Sequence, residues 1–316
     1  MKVLVSKPKV IAIKNPPSLL KDFKLNYELY ILSIPVVIYY LIFHYFPMYG
    51  LQIAFKDFKA NLGIWGSPWI GFEHFIRFFK SYNFWALIQN TLGISLYQLL
   101  LGFPMPIIFA VMVNEFRYKS LKKGVQMLSY APHFISTVVM TGIIIAFLAP
   151  RTGVINQLRG VLGHGSIDFL SRPDLFKSIF VTTNIWQNMG WDSIIYFAAL
   201  SSIDMEMCEA ASIDGASKFQ RVWYINIPSI MRVAVILLIM NCGRLMDIGF
   251  EKIFLLQNPL NMQSSDVIST YVYRAGILGA QYSFSAAVGL FNTIVNVILL
   301  LTVDKISRSV SEYGLF

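Results

Sequence analysis

Asn184, Gln187, Asn188 and Trp191 stand at i, i+3, i+4 and i+7, the spacing that places four side chains on one face of a helix. Neutral amides offer donors and acceptors together, and an indole offers an apolar face. That combination suits the hydroxyls and ring face of a sugar. Tyr97, Gln98, Asn241 and Asn292 are further polar groups inside otherwise apolar segments. The same eight residues also fit a plainer role, hydrogen bonding between packed helices, worth about 0.6–2 kcal/mol per contact. No catalytic set accompanies them. His44, His74, His133 and His164 are scattered, without a pair at metal-ligand spacing, and read as interfacial or packed residues. Cys208 and Cys242 are expected to stay unpaired. No cofactor is expected.

A second polar group is a loop, Glu209-Ala210-Ala211-Ser212-Ile213-Asp214-Gly215-Ala216, followed by Ile225-Asn226-Ile227-Pro228. Asp204 is placed to cap a short helix through Ala211, with Glu206 in its first turn. Gly215 breaks it, because glycine alone adopts a positive φ freely. Ser217 and Gln220 have capping-box spacing for a second short helix running to about Asn226. Pro228 then starts the next apolar run, where a missing donor does no harm. The three alanines keep this surface thin, while Met205, Met207, Phe219, Trp223 and Tyr224 supply apolar knobs. Physics leaves two readings open: an amphipathic hairpin on a lipid surface, or a docking element for another protein.

The elements that hold these groups are set by composition. Of 316 residues, 56% are hydrophobic and 14% charged; soluble domains carry roughly 25% charged residues. The chain therefore reads as an all-α integral membrane protein. Six apolar runs, near 29–48, 86–113, 125–149, 176–200, 229–248 and 283–303, are long enough to cross about 30 Å of hydrocarbon. The fourth is interrupted by Asn184, Gln187, Asn188 and Asp192. The first run lacks a small-residue cleavage site after it and is expected to remain as an anchor.

Lys and Arg set the orientation. With the N-terminus inside, the inner pieces 1–28, 114–124, 201–228 and 304–316 hold 14 of them, against 9 in the outer pieces 49–85, 150–175 and 249–282. Both termini and the polar loop are thus expected in the cytoplasm. The net charge of +9 follows from this bias and from contact with anionic lipid, and nucleic acid is not needed to explain it. The divisions are a tail (1–28), a first helix with an outer loop (29–85), a core (86–303, with the polar loop at 201–228) and a second tail (304–316).

At 1.5 Å per residue, the polar groups Gln98, Gln187, Asn241 and Asn292 lie about 14–18 Å into their spans. They gather near the midplane and should face inward, away from lipid. Arg244, Asp247 and Glu251 fall towards the outer end; Arg244 and Asp247 are expected to form a structural ion pair, with a binding site for anionic sugar as the other reading. The aromatic outer loop (Phe55, Phe58, Trp65, Trp69, Phe72, Phe75, Phe78, Phe79, Trp85) is expected partly in the headgroup zone. Pro104 and Pro106 predict a kink in the second span.

The polar loop resembles the cytoplasmic signature of binding-protein-dependent ABC importer permeases: Glu-Ala-Ala, three residues, Gly, nine residues, Ile, one residue, an apolar residue and Pro. Glu209, Ala210, Ala211, Gly215, Ile225 and Pro228 match at that spacing, with Asp214 inside it. Ile227 replaces the usual leucine, and Arg232 stands where many members carry a second proline. Tyr49 through Phe58, Gly249-Phe250-Glu251, Asp266 through Arg274 and Ala286 through Asn292 resemble the oligosaccharide branch typified by lipoprotein-gene-cluster and polysaccharide-utilisation permeases. The resemblance implies the type I importer fold, a bacterial plasma-membrane location and no enzymatic activity. It also implies partners: a second, homologous permease, two ATP-binding cassette subunits that bind ATP and Mg, and an extracellular solute-binding protein. In such a complex the loop inserts into a groove of the ATPase, with Glu209 pairing to a basic residue.

Two other classes make different demands. An ion-coupled secondary transporter calls for inverted repeats and buried acids near the midplane. A membrane-embedded hydrolase or transferase calls for a His/Glu/Asp or Ser/Lys group at one depth. The sequence offers neither pattern.

Overall fold

The computed structural model describes residues 23–310. The lysine-rich leader up to residue 22 and the end of the second tail, 311–316, lie outside the described residues. The chain divides into two compact units, Met1–Gln52 and Ile53–Phe316. Described structure is helical apart from one antiparallel bridge, Lys56 to Trp69.

Four helices are long and apolar enough to cross a membrane: Tyr27–Phe55, Phe84–Asn114, Lys218–Cys242 and Tyr282–Ser309. A fifth candidate, Lys119–Phe134 with Thr137–Leu148, is bent by 102° at its break. Three expectations change. The run at 125–149 is two helices, because Pro132 ends the first, Ile135 and Ser136 are extended, and the Ser136 hydroxyl caps the second by accepting from the Val139 N–H. The run at 176–200 splits into Pro173–Asp192 and Ile194–Ser201, and its amides keep it off the set of apolar spans. The run at 229–248 begins earlier and ends earlier: one helix continues from Lys218 to Cys242, and residues 243–248 are turns and extended chain.

Three of the helices share a device. Wide π-turns at Leu41–Tyr45, Gln98–Gly102 and Val222–Asn226 each begin six residues before a proline: Pro47, Pro104 and Pro228. A proline gives no N–H to the carbonyl four residues back, and its ring collides with that carbonyl. Widening the preceding turn moves the carbonyl aside without ending the helix. The expected kink at Pro104 is therefore a π-turn, and Pro228 lies inside a continuous helix instead of starting one.

Four buried clusters tie the second unit together, the smallest being Ala54, Phe75 and Ala287. One joins Ile94, Met140, Phe176, Phe180 and Ile253; a second joins Val111, Tyr196, Phe197 and Ile230; a third joins Phe78, Leu87, Phe284 and Val288. Phe75 and Phe78 of the aromatic loop are thus core residues, while Trp65, Trp69, Phe72, Phe79 and Trp85 remain exposed. The difference lies in the short Glu73–Phe79 helix, which turns two of its rings toward Tyr282–Val310. Lipid is as apolar as leucine, so close packing between helices takes over from the hydrophobic effect within the bilayer. Small residues make that packing possible. A Cβ on Gly190 would come within 2.1 Å of the Ser129 carbonyl oxygen, which is backbone and has no rotamer to change.

Gly190→Ala is expected to destabilise the fold. The helix-propensity gain of roughly 0.8–1 kcal/mol is outweighed by an overpacking cost of about 1–3 kcal/mol. Thermal unfolding in detergent should show a lower midpoint; an unchanged or raised midpoint would mean that the Lys119–Tyr130 helix gives way freely.

Candidate functional site

A cavity of about 1290 Å³ opens among the helices of the second unit, larger than the roughly 300–1,000 Å³ of drug-sized ligand pockets. Six of the eight predicted polar residues line it: Gln98, Asn184, Gln187, Asn188, Trp191 and Asn241. Two do not. The Tyr97 hydroxyl instead lies 3.5 Å from Ser178 Oγ, and Asn292 stands away from the cavity. Tyr97 follows one residue before Gln98 and so points about 100° around the helix, into the core about Phe176 and Phe180.

The broken helix shapes the cavity wall. Breaking it frees the Ile135 carbonyl, which accepts from Gln187 Nε2 at 3.4 Å; irregular backbone at membrane depth is tolerated where it lines such a space. The turn also delivers His133. Its ring stacks on Trp191 at 4.4 Å and 4°, Phe134 meets the same indole edge-on at 5.4 Å, and His133 Nδ1 donates to Asn188 Oδ1 at 3.0 Å. Asn188 in turn donates to Asn184 Oδ1 at 3.0 Å. The histidine that looked isolated in sequence thus belongs to an amide–imidazole–indole platform. Its nearest sequence signal is Pro132, which turns the chain just before it.

Charged groups line the same space. Arg244, Asp247, Glu251, Lys252 and Asp192 all face it. The expected pair between Arg244 and Asp247 does not form; among the described residues neither takes part in an ion pair. Residues three apart meet on a helix, but here the helix has ended at Cys242; the two share a turn in which Asp247 N–H donates to the Arg244 carbonyl at 2.9 Å, and their side chains do not pair. Lys252 is buried, with no carboxylate partner among the described residues; its ammonium donates to Gln187 Oε1 at 3.4 Å and lies 5.8 Å from the Phe180 ring centre. Sequence reasoning passed over Lys252, though a lysine inside the apolar run Phe250–Leu256 was the available clue.

Outside the cavity, Asp266 accepts from Thr270 and Arg274, a ladder at i, i+4 and i+8 that anchors the Ile268–Tyr273 helix. Asn261 binds the carbonyls of Leu170 and Leu256. These groups hold the segment between the last two long helices and are structural. Among the described residues no group of His, Cys, Asp and Glu is arranged to hold a metal ion.

The polar loop forms the expected hairpin. Asp204 Oδ1 caps Met205–Ile213 by accepting from Glu206 N–H, and Ser217 with Gln220 closes a capping box on Lys218–Arg221. Gly215 has φ +83°, and Ala216 N–H reaches back to Ala211 C=O at 2.9 Å. Glu209, Ala210, Asp214, Gly215 and Pro228 are exposed or partly so, and Ala211 and Ile225 half-buried. Ile213, Phe219 and Tyr224 are also exposed. The two arms are locked by Arg221, whose Nη1 donates to Ser212 Oγ at 2.8 Å. Arg221 Nη2 then lies 3.9 Å from Glu115 Oε2, and Glu115 Oε1 accepts from the buried Asn226 at 3.1 Å.

A helical membrane chain with a polar cavity and an exposed, rigidly capped hairpin describes the translocating subunit of a transporter. Comparison with known proteins agrees: residues 102–311 match the family of binding-protein-dependent transport system inner membrane components, and the chain belongs to that family. It is 42% identical over 288 residues to Protein LplB of Bacillus subtilis (strain 168), covering 91% of each chain. It is 39% identical over 288 residues to the polygalacturonan/rhamnogalacturonan transport system permease protein YteP of the same strain, covering 91% of this chain and 90% of that one. Among solved structures, a subunit of a bacterial alginate ABC transporter, in complex with alginate pentasaccharide-bound periplasmic protein, superposes with a TM-score of 0.86 at 41% identity. That match covers 94% of this chain and 99% of the other. The chain is thus an inner-membrane permease component.

Gln187→Leu tests the buried amide. It strands the Lys252 ammonium and the Ile135 carbonyl at a cost of roughly 1–3 kcal/mol or more. A lower unfolding midpoint is expected for the purified variant; an unchanged one would mean that water replaces the amide at Lys252.

Proposed function

We propose that this chain is the transmembrane permease of an ATP-driven importer that carries an oligosaccharide received from an extracellular binding protein, and that the cargo bears uronate carboxylates. The observation that carries the reading is the exposed hairpin about Gly215, built to enter a groove on a cytoplasmic ATPase. Glu209 would pair there with a basic residue, and the small Ala210 and Ala211 would allow close approach. The sugar class is supported by the polygalacturonan/rhamnogalacturonan permease and the alginate transporter. Within the cavity, Arg244 and Lys252 form no ion pair among the described residues and would be the groups to meet a cargo carboxylate, although Asp192, Asp247 and Glu251 line the same space.

In this reading the chain has the six-span type I fold, with both termini in the cytoplasm. The Pro173–Asp192 helix is the span that turns its amides to the cavity, which is why composition alone does not mark it as apolar. A second, homologous permease completes the pathway, and two ATPase subunits bind ATP and Mg; the permease itself needs no cofactor. ATPase closure would favour the outward-open arrangement and hydrolysis the inward-open one, each nucleotide state selecting the conformation it binds better.

Glu209→Lys is expected to abolish capture of the ATPase by the membrane complex and with it uptake. Gly215→Val should do the same by straining a positive φ, at about 1–3 kcal/mol. Normal uptake in vesicles by a correctly inserted double variant would sink the docking role. For the cavity, Trp191→Ala should lower the maximal uptake of oligogalacturonate about tenfold, the equivalent of one stacking contact of about 1.4 kcal/mol. Half-saturation, set by the binding protein, should hardly move.

A further inference from the structure

Glu115, the residue that ends the Pro104–Asn114 helix, meets the hairpin from another part of the chain. Its two carboxylate oxygens have different partners: Oε2 faces the Arg221 guanidinium at 3.9 Å, and Oε1 accepts from Asn226 at 3.1 Å. Arg221 also holds Ser212 on the hairpin's other arm. One carboxylate therefore joins both arms of the hairpin to the ends of two long helices. Among the described residues, the hairpin's remaining side-chain hydrogen bonds, those of Asp204, Ser212, Ser217 and Gln220, stay within it.

Both of those helices line the cavity higher up. Phe84–Asn114 contributes Gln98, Phe103 and Pro106, and Lys218–Cys242 contributes Leu237, Met240 and Asn241. Glu115 lies 17 residues along the chain from Gln98, roughly 25 Å of helix. Between them, the π-turn at Gln98–Gly102 interrupts the regular ladder at the level of the cavity. A single ion pair at 3.9 Å, long for a direct contact and still partly open to solvent, adds little to stability by itself. Asn226 differs: it is 4% exposed, and its amide donates to Glu115. The geometry is that of a mechanical link more than of a stabilising contact.

We propose that Glu115 is a positioning residue of transport, through which movement of the hairpin reaches the two cavity-lining helices. The inference rests on the docking reading above.

The test uses the assembled transporter in lipid, with partner permease, ATPases and binding protein. Cys208→Ala and Cys242→Ala clear this chain of thiols, and spin labels are placed at Leu100→Cys and Ile298→Cys, both exposed positions on different long helices. In the parent, ATP and binding protein should change the distance between the labels. In Glu115→Ala the ATPases should still be captured and still hydrolyse ATP, while the distance change is lost. Glu115→Gln keeps an acceptor for Asn226 and loses the charge facing Arg221; it should retain part of the change. Arg221→Met should lose as much as Glu115→Ala, and the double variant no more than either, since coupled residues fail to add. A full distance change in Glu115→Ala overturns the proposal, and so does loss of ATPase capture in both Glu115 variants, which would make the residue structural. A parent that shows no ATP-driven change overturns the docking reading instead.

Discussion

Inside a bilayer no water is available to a freed backbone carbonyl, so every interruption of a helix must be answered by the protein itself. This chain interrupts its helices often and answers in two ways. Before Pro47, Pro104 and Pro228 a widened turn absorbs the missing donor and the ring. At the sharp break before Thr137 a buried amide, Gln187, serves the carbonyl of Ile135. The cavity is a product of that break: the turn that frees the carbonyl also delivers His133 to Trp191.

The same need for partners governs the segment between the last two long helices. Asparagine meets its turn carbonyls, Asn90 serving Gln263 and Asp266 and Asn261 serving Leu256, while Asn258 and Asn261 also reach out to the carbonyl of Leu170. An amide carries two donors without bringing a charge to be neutralised. These asparagines fix the wall from which Lys252 and Glu251 face the cavity. The amides named as candidate ligand groups and those that hold the wall are chemically alike, and position alone separates them.

At the other end the hairpin obeys ordinary rules of water-exposed helices, with a cap at Asp204, a capping box at Ser217 and a left-handed glycine at Gly215. Each is local, which makes the hairpin rigid before any partner arrives. In the proposed docking role, rigidity would be useful, because a flexible loop would absorb a displacement instead of passing it on. The locked arms and the Glu115 contact extend that rigidity toward the long helices.

The sequence by itself determined the local features. Membrane class followed from composition, and the hairpin from caps, breaker and spacing, because these depend on residues within a few positions of one another. The face shared by Asn184, Gln187, Asn188 and Trp191 followed from helical period alone. Tertiary structure decided what depends on residues far apart. It placed Gln98 at the cavity and Tyr97 in the core, brought His133 onto Trp191, and left the side chains of Arg244 and Asp247 unpaired in the turns beyond Cys242. Lys252 and Glu115 owe their places to partners 65 and 106 or more positions away, and no pattern of neighbouring residues records such a meeting.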